Sequence, residues 1–154
     1  MTFVLGARSL QRLAGVHPHL VDTVKGAIAV SEVDFAVIEG VRSIDRQVEL
    51  YSQGRTTAQM RAAGIVDVEG KPHEKKVTWT LNSNHFVRNS GFGHAVDLAP
   101  FVGGKIVWEP WGLFQQIAKA MKEAAAEMNY PVTWGGDWKK PDGPHFELPR
   151  DYPA

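Results

Sequence analysis

Apolar residues recur along this chain at helical spacing in some stretches and at strand spacing in others. Over residues 19–30, after Pro18, they fall at three- and four-residue steps that place Leu20, Val24, Ala27 and Ile28 on one face of a helix. The same spacing returns over residues 110–128, where Leu113, Ile117, Ala120, Met121 and Ala124 form a stripe. Short apolar runs predict strands over residues 35–38, 95–99, 132–134 and 145–148, and Thr78-Trp79-Thr80 has strand composition. Gly103-Gly104 predicts a hairpin that returns through residues 105–108. Phe3 to Leu5 either starts a strand or packs down. Ser9 is a candidate cap for a helix running to Leu13. Ser43 caps one carrying Gln47, Leu50 and Tyr51, and residues 56–63 add a turn or two closed by Gly64. Residues 65–76, with Gly70 and Pro72, read as loop. Helices first and strand hairpins later predict an α+β fold, with helices packed on a small, mostly antiparallel sheet.

Composition narrows the function classes. A chain of 154 residues with 44% hydrophobic and 22% charged positions predicts one folded domain over residues 1–154. Net charge is zero and no long basic cluster occurs, which argues against a nucleic-acid partner. No run reaches the roughly 18 apolar residues of a membrane span, so no membrane insertion is expected. The first residues lack a basic start followed by an apolar core, so no signal peptide is expected and synthesis as a cytosolic domain follows. Nothing suggests an interface, and a monomer is the default. Cysteine is absent, so any metal must be held by His, Asp or Glu.

The candidate chemistry lies in two stretches, Ser83 to Pro100 and Gly135 to Leu148, which hold three of the six histidines. Taken singly, each polar residue there is most simply structural; their combination is what points to a site. Asp97 stands in the middle of an apolar strand, where burying a carboxylate without a partner is costly, and a metal or an arginine would compensate. His85, His94 and His145 are the nearby candidates. Residues three apart on a strand face opposite ways, which separates His94 from Asp97. His85, in the preceding loop, is freer to fold back and is preferred, with His94 in reserve. Asp142 and His145 can face one cavity only if the backbone turns between them, and Gly143-Pro144 provides that turn. Three protein ligands would leave a fourth zinc position open, the arrangement of a catalytic site. These residues together point to metal-assisted hydrolysis of an amide, with a neighbouring carboxylate to move the proton.

Those residues resemble the zinc peptidases that include D-Ala-D-Ala carboxypeptidases, vancomycin-resistance dipeptidases and phage L-alanyl-D-glutamate endolysins. Ser83-Asn84-His85 matches the head of the family's Ser-x-His-x-x-Gly-x-Ala-x-Asp motif, and Gly93-His94-Ala95-Val96-Asp97 its tail. Asp142-Gly143-Pro144-His145 matches the later Asp/Glu-x-x-His motif. Glu39-Gly40-Val41-Arg42-Ser43, Asp97-Leu98-Ala99-Pro100-Phe101 and Gly135-Gly136-Asp137-Trp138 resemble the endolysin branch, as does Asp in place of Glu at 142. Family spacing would put the first histidine seven residues before Asp97, where Ser90 stands, whereas His85 lies twelve before it. The loop is therefore expected to bulge by five residues within 87–92.

The resemblance implies Zn2+ on His85, Asp97 and His145, with Asp142 as general base and acid. It implies that Arg42 holds the substrate or the developing oxyanion; a surface ion pair is the plainer role for that residue. Ser83, Gln47 and Trp138 are expected to contact substrate, while the other tryptophans, Trp79, Trp108, Trp111 and Trp134, are expected in the core. The implied activity is cleavage of the peptidoglycan stem peptide between L-Ala and D-Glu to lyse a bacterial host. A D-Ala-D-Ala carboxypeptidase or dipeptidase is the enzymatic alternative, and a non-catalytic cell-wall binding module the other. Such an enzyme would wait in the host cytoplasm and reach the wall through a holin-type pore. With no separate wall-binding domain, it would suit the thin wall of a Gram-negative host.

Overall fold

In the computed structural model, residues 2–78 and 82–154 are described. Helix α1 spans Ala7–Arg12 and helix α2 Pro18–Val30. Pro18 opens α2, where its missing N–H costs nothing, and His17 Nδ1 accepts a hydrogen bond from the His19 amide at 3.0 Å. Two shorter helices follow: α3, Ile44–Ser52, and α4, Thr57–Ala62. Ser43 caps α3 as expected, and Thr56 with Gln59 forms a capping box on α4. Helix α5, Trp111–Met128, turns Phe114, Ile117, Ala118, Ala120, Met121, Ala124 and Ala125 inward. It lies against α2 at close range because small residues meet: a Cβ on Gly26 would stand 3.3 Å from that of Ala124.

The strands are β1 (Phe35–Glu39), β2 (Ala95–Val102), β3 (Lys105–Ile106), β4 (Thr133–Trp134) and β5 (His145–Glu147). They form an antiparallel sheet in the order β1-β2-β5-β4, with β3 paired to β2 as the expected hairpin, though shorter. Val37, Val96, Leu98, Phe146 and Leu148 join the helices in one buried cluster. Period-two alternation then sends Asp97 and His145 to the opposite face. In β1 the register shifts between Val37 and Glu39, so Val37 pairs with core-facing Leu98 while Glu39 pairs with Asp97. Without that irregularity Val37 and Glu39 would share a face. The two outer faces of the α+β arrangement are thus a helical core on one side and a cleft on the other.

Several local expectations change. Ser9 lies inside α1, whose N-cap is Gly6, and does not cap it. Its hydroxyl instead accepts from the Val37 amide at 2.9 Å, while Arg12 Nη1 donates to the Val37 carbonyl at 2.9 Å. Helix α1 therefore satisfies backbone groups that edge strand β1 would leave unpaired. Phe3 and Leu5 pack against the core without forming a strand. Of the tryptophans, Trp134 is buried, but Trp108 and Trp111 are 59% and 44% exposed, stacking on Phe114 and Trp134 at the rim of the core. The expected strand at Thr78-Trp79-Thr80, and Trp79 with it, falls outside the described residues except for Thr78, which is not in a strand. No helix among the described residues is long and apolar enough to cross a membrane.

Leu98 is fully buried one residue beyond Asp97, whereas Val102 on the same strand is exposed. Leu98→Ala is expected to cost about 2–5 kcal/mol of stability through lost burial and the cavity left behind. Val102→Ala should change it by no more than about 0.5 kcal/mol. Urea denaturation midpoints of the two variants check both.

Candidate metal centre and its cleft

Three adjacent strands set the site in a row. Glu39 on β1 pairs with Asp97 on β2, and Asp97 pairs with His145 on β5. His145 Nδ1 lies 3.3 Å from Asp97 Oδ1. His85 arrives from the loop before β2 and puts its Nε2 at 3.3 Å from the same oxygen. That loop is pinned by its own backbone: Ser83 Oγ accepts from the His85 amide at 3.1 Å, and the His85 carbonyl accepts from the Arg42 amide at 2.8 Å. One ligand atom each from His85, Asp97 and His145 falls within 4.8 Å of the others, a group that could hold a metal ion.

The donor set fits a divalent ion such as zinc. His85 Nδ1 donates to the Gly40 carbonyl at 2.8 Å, and His145 Nε2 donates to Glu147 Oε1 at 2.7 Å. Each outer nitrogen thus carries the proton, so in the neutral ring the lone pair lies on the nitrogen facing Asp97. Gly40 makes the first of these contacts possible, since a Cβ there would stand 2.0 Å from the Arg12 carbonyl. Burial disfavours charge on both Asp97 and His145, but the hydrogen bonds between them outweigh it. Asp97 is held well below the usual carboxylate range by His145 and His85. His145 is pushed up to about 9 by its bonds to Asp97 and Glu147 and by the charges of Asp97 and Asp142.

Around this trio lies an open cleft of about 830 Å³, lined among others by Arg42, Gln47, Ser83, Trp138 and Asp142. Arg42 donates Nε to Glu39 Oε1 at 2.7 Å and Nη1 to Gln47 Oε1 at 2.6 Å, with Nη2 3.8 Å from Asp97 Oδ2. It is both the ion pair and the cleft residue. Gln47 is buried and passes the contact on to Thr78 Oγ1 at 3.1 Å, so it braces Arg42. The Trp138 ring, 39% exposed, stands 5.1 Å from the His145 ring. Asp142 reaches the cleft through the Gly-Pro turn: the His145 amide donates to the Asp142 carbonyl at 3.2 Å, and Trp134 Nε1 donates to the Gly143 carbonyl at 2.7 Å. Gly135 lets the turn approach, because a Cβ there would meet the Asp142 carbonyl at 2.6 Å. Burial and the nearby Asp97 charge raise the Asp142 pKa, which favours a group that takes up a proton and gives it back.

His94 is not with them. It is buried on the other side of the sheet, donating Nδ1 to the Pro149 carbonyl at 2.8 Å and accepting from Ser90 Oγ at 2.7 Å. The extra residues before it form a small hairpin, with the Arg88 amide bonded to the Phe92 carbonyl at 2.8 Å and Val87 bridged to Gly93. Glu39 and Glu147, both at the cleft, were not anticipated from the sequence. Glu147 stands two residues after His145, and the strand period alone would have placed them on one face.

The elevated His145 pKa makes a prediction for the metal-free chain. A group whose folded pKa exceeds its ordinary value of 6.5 contributes stability that is present below about pH 6.5 and lost as pH rises through about 9. In chelator, the unfolding temperature of the parent should exceed that of His145→Gln in acid and lose that lead above about pH 9. Calorimetry across that range checks it.

Known proteins resemble this chain over most of its length. The chain is 27% identical over 150 residues to the L-alanyl-D-glutamate peptidase of Escherichia phage T5, covering 97% of this chain and 92% of that one. It is 31% identical over 133 residues to the peptidoglycan L-alanyl-D-glutamate endopeptidase CwlK of Bacillus subtilis, covering 82% and 68%. The crystal structure of the Serratia marcescens L-Ala D-Glu endopeptidase ChiX superposes with a TM-score of 0.72 at 40% identity, over 98% of this chain and 95% of that one. The family model for phage L-alanyl-D-glutamate peptidases matches residues 1–151, and the chain belongs to that family.

Proposed function

We propose that this chain is a zinc-dependent endopeptidase that cleaves the L-Ala–D-Glu bond of the peptidoglycan stem peptide in bacterial host lysis. The observation that carries this reading is the convergence of His85, Asp97 and His145 on one open cleft, with Asp142 beside them. His85 Nε2, Asp97 and His145 Nδ1 would hold the ion. When bound, zinc supplies Lewis-acid polarisation of the scissile carbonyl and makes a water molecule acidic enough to attack near neutral pH.

The chain's own residues do the rest. Asp142 takes the proton of the attacking water and delivers it to the amine that leaves, a role its raised pKa suits. Arg42, held by Glu39 and Gln47, presents a fixed positive charge to the oxygen on which charge develops. Trp138 and Ser83 bound the cleft where the stem peptide lies. Among the described residues one buried cluster joins the helices and the sheet, which supports assigning 1–154 to one peptidase domain; we take it to act as a monomer. It would be made in the host cytoplasm and pass a holin-type pore to reach the wall.

Mass spectrometry of purified peptidoglycan after digestion decides the bond. New N-terminal D-Glu, abolished by a chelator and restored by zinc, is the expected result; release of D-Ala alone would show a carboxypeptidase instead. Asp142→Ala should lower turnover by about 100- to 10,000-fold while leaving metal content at one ion per chain. Loss of the metal as well would make Asp142 a ligand and overturn its assigned role.

A further inference from the structure

The two candidate ligand histidines are braced in chemically different ways. His85 gives its outer N–H to a neutral carbonyl, that of Gly40, at 2.8 Å. His145 gives its outer N–H to the Glu147 carboxylate at 2.7 Å. Strand β5 favours the second contact, since residues two apart share a face. The far oxygen of Glu147 accepts from Asn84 Nδ2 at 2.8 Å. Asn84 in turn accepts from Arg150 Nε at 3.2 Å through Oδ1, and Arg150 Nη2 donates to the Asn82 carbonyl at 3.1 Å. Asn84 is buried and directly precedes His85. One short loop therefore sends His85 into the centre and Asn84 to the carboxylate behind His145.

We propose that Glu147 is a positioning residue of the metal centre, acting through His145, with Asn84 and Arg150 holding its carboxylate in place. This rests on the reading of His85, Asp97 and His145 as zinc ligands. Glu147 fixes His145 in the tautomer that leaves Nδ1 free for the ion, sets the plane of the ring, and makes the ring a stronger donor than His85. The Asn84 link gives it a second effect: the loop that carries His85 and the strand that carries His145 are tied together from behind. Both oxygens of Glu147 are taken up, one by His145 and one by Asn84, so its removal is expected to act on metal affinity.

The test is competition for zinc against a chromophoric chelator, using the full chain at fixed pH. Glu147→Gln keeps an acceptor for the His145 N–H but loses the charge, and zinc affinity should fall about 10-fold. Glu147→Ala loses both, and the fall should approach about 100-fold. Peptidoglycan hydrolysis by Glu147→Gln should return toward the parent rate when zinc is raised well above the weakened Kd, with KM unchanged. In the zinc-loaded parent, NMR should show a slowly exchanging imidazole Nε2 proton that His145→Gln removes and Glu147→Gln shifts upfield. If Glu147→Ala does not fold, Glu147→Gln, which preserves shape, decides. Variants that hold zinc within about twofold of a zinc-binding parent overturn this inference alone. A parent that binds no zinc overturns the metal reading with it.

Discussion

Asp97 is a carboxylate in the middle of a strand whose neighbours on either side are fully buried, and that burden organises the molecule around it. A charge so placed is tolerated only when partners surround it. Here they come from every direction the fold allows: His145 from β5, His85 from the loop before β2, and Arg42 from the turn after β1. The helical face of the same sheet supplies the rigidity. Val96 and Leu98 are gripped by the core, so the carboxylate between them has little freedom to wander.

Charge around the cleft is nearly balanced, and the balance is local. Glu39 and Gln47 hold Arg42 away from full closure on Asp97, leaving 3.8 Å between them. Without a cation in the centre, His145 takes a proton to satisfy Asp97. Below about pH 9 the site therefore carries a positive charge on His145 opposite that carboxylate when no metal is bound. Asp142 sits one step further out, where burial and the Asp97 charge together keep its affinity for protons above that of an ordinary aspartate.

Much of this was legible because it follows from period. Alternation along β2 sends His94 behind the sheet and Asp97 in front, and that fact alone separates a core histidine from a ligand candidate. The helix stripes of α2 and α5, the Ser43 cap and the Gly143-Pro144 turn are equally local. What could not be read depends on contacts distant in sequence. Ser9 looks like a helix cap, yet its hydroxyl serves an edge amide 28 positions away. Trp108 and Trp111 look like core because of their size, yet the core is already filled by α2 and α5, and they are left at its rim. Glu39 reads as the end of a buried strand; nothing local announces that its side chain leaves the core. The hairpin within residues 87–92 changes the spacing of the motif without moving the histidine that precedes it.

The register shift in β1 has a consequence for how this cleft tolerates change in length. Before Ile38 the strand places Val37 in the hydrophobic interior; after it, the same strand places Glu39 at the cleft. One extra residue acts as a hinge in sequence space between packing and chemistry. A regular ladder through the same residues would set Ile38 opposite Asp97 and turn Glu39 inward, away from Arg42. The single extra residue is therefore what lets one short strand serve the interior at Val37 and the cleft at Glu39.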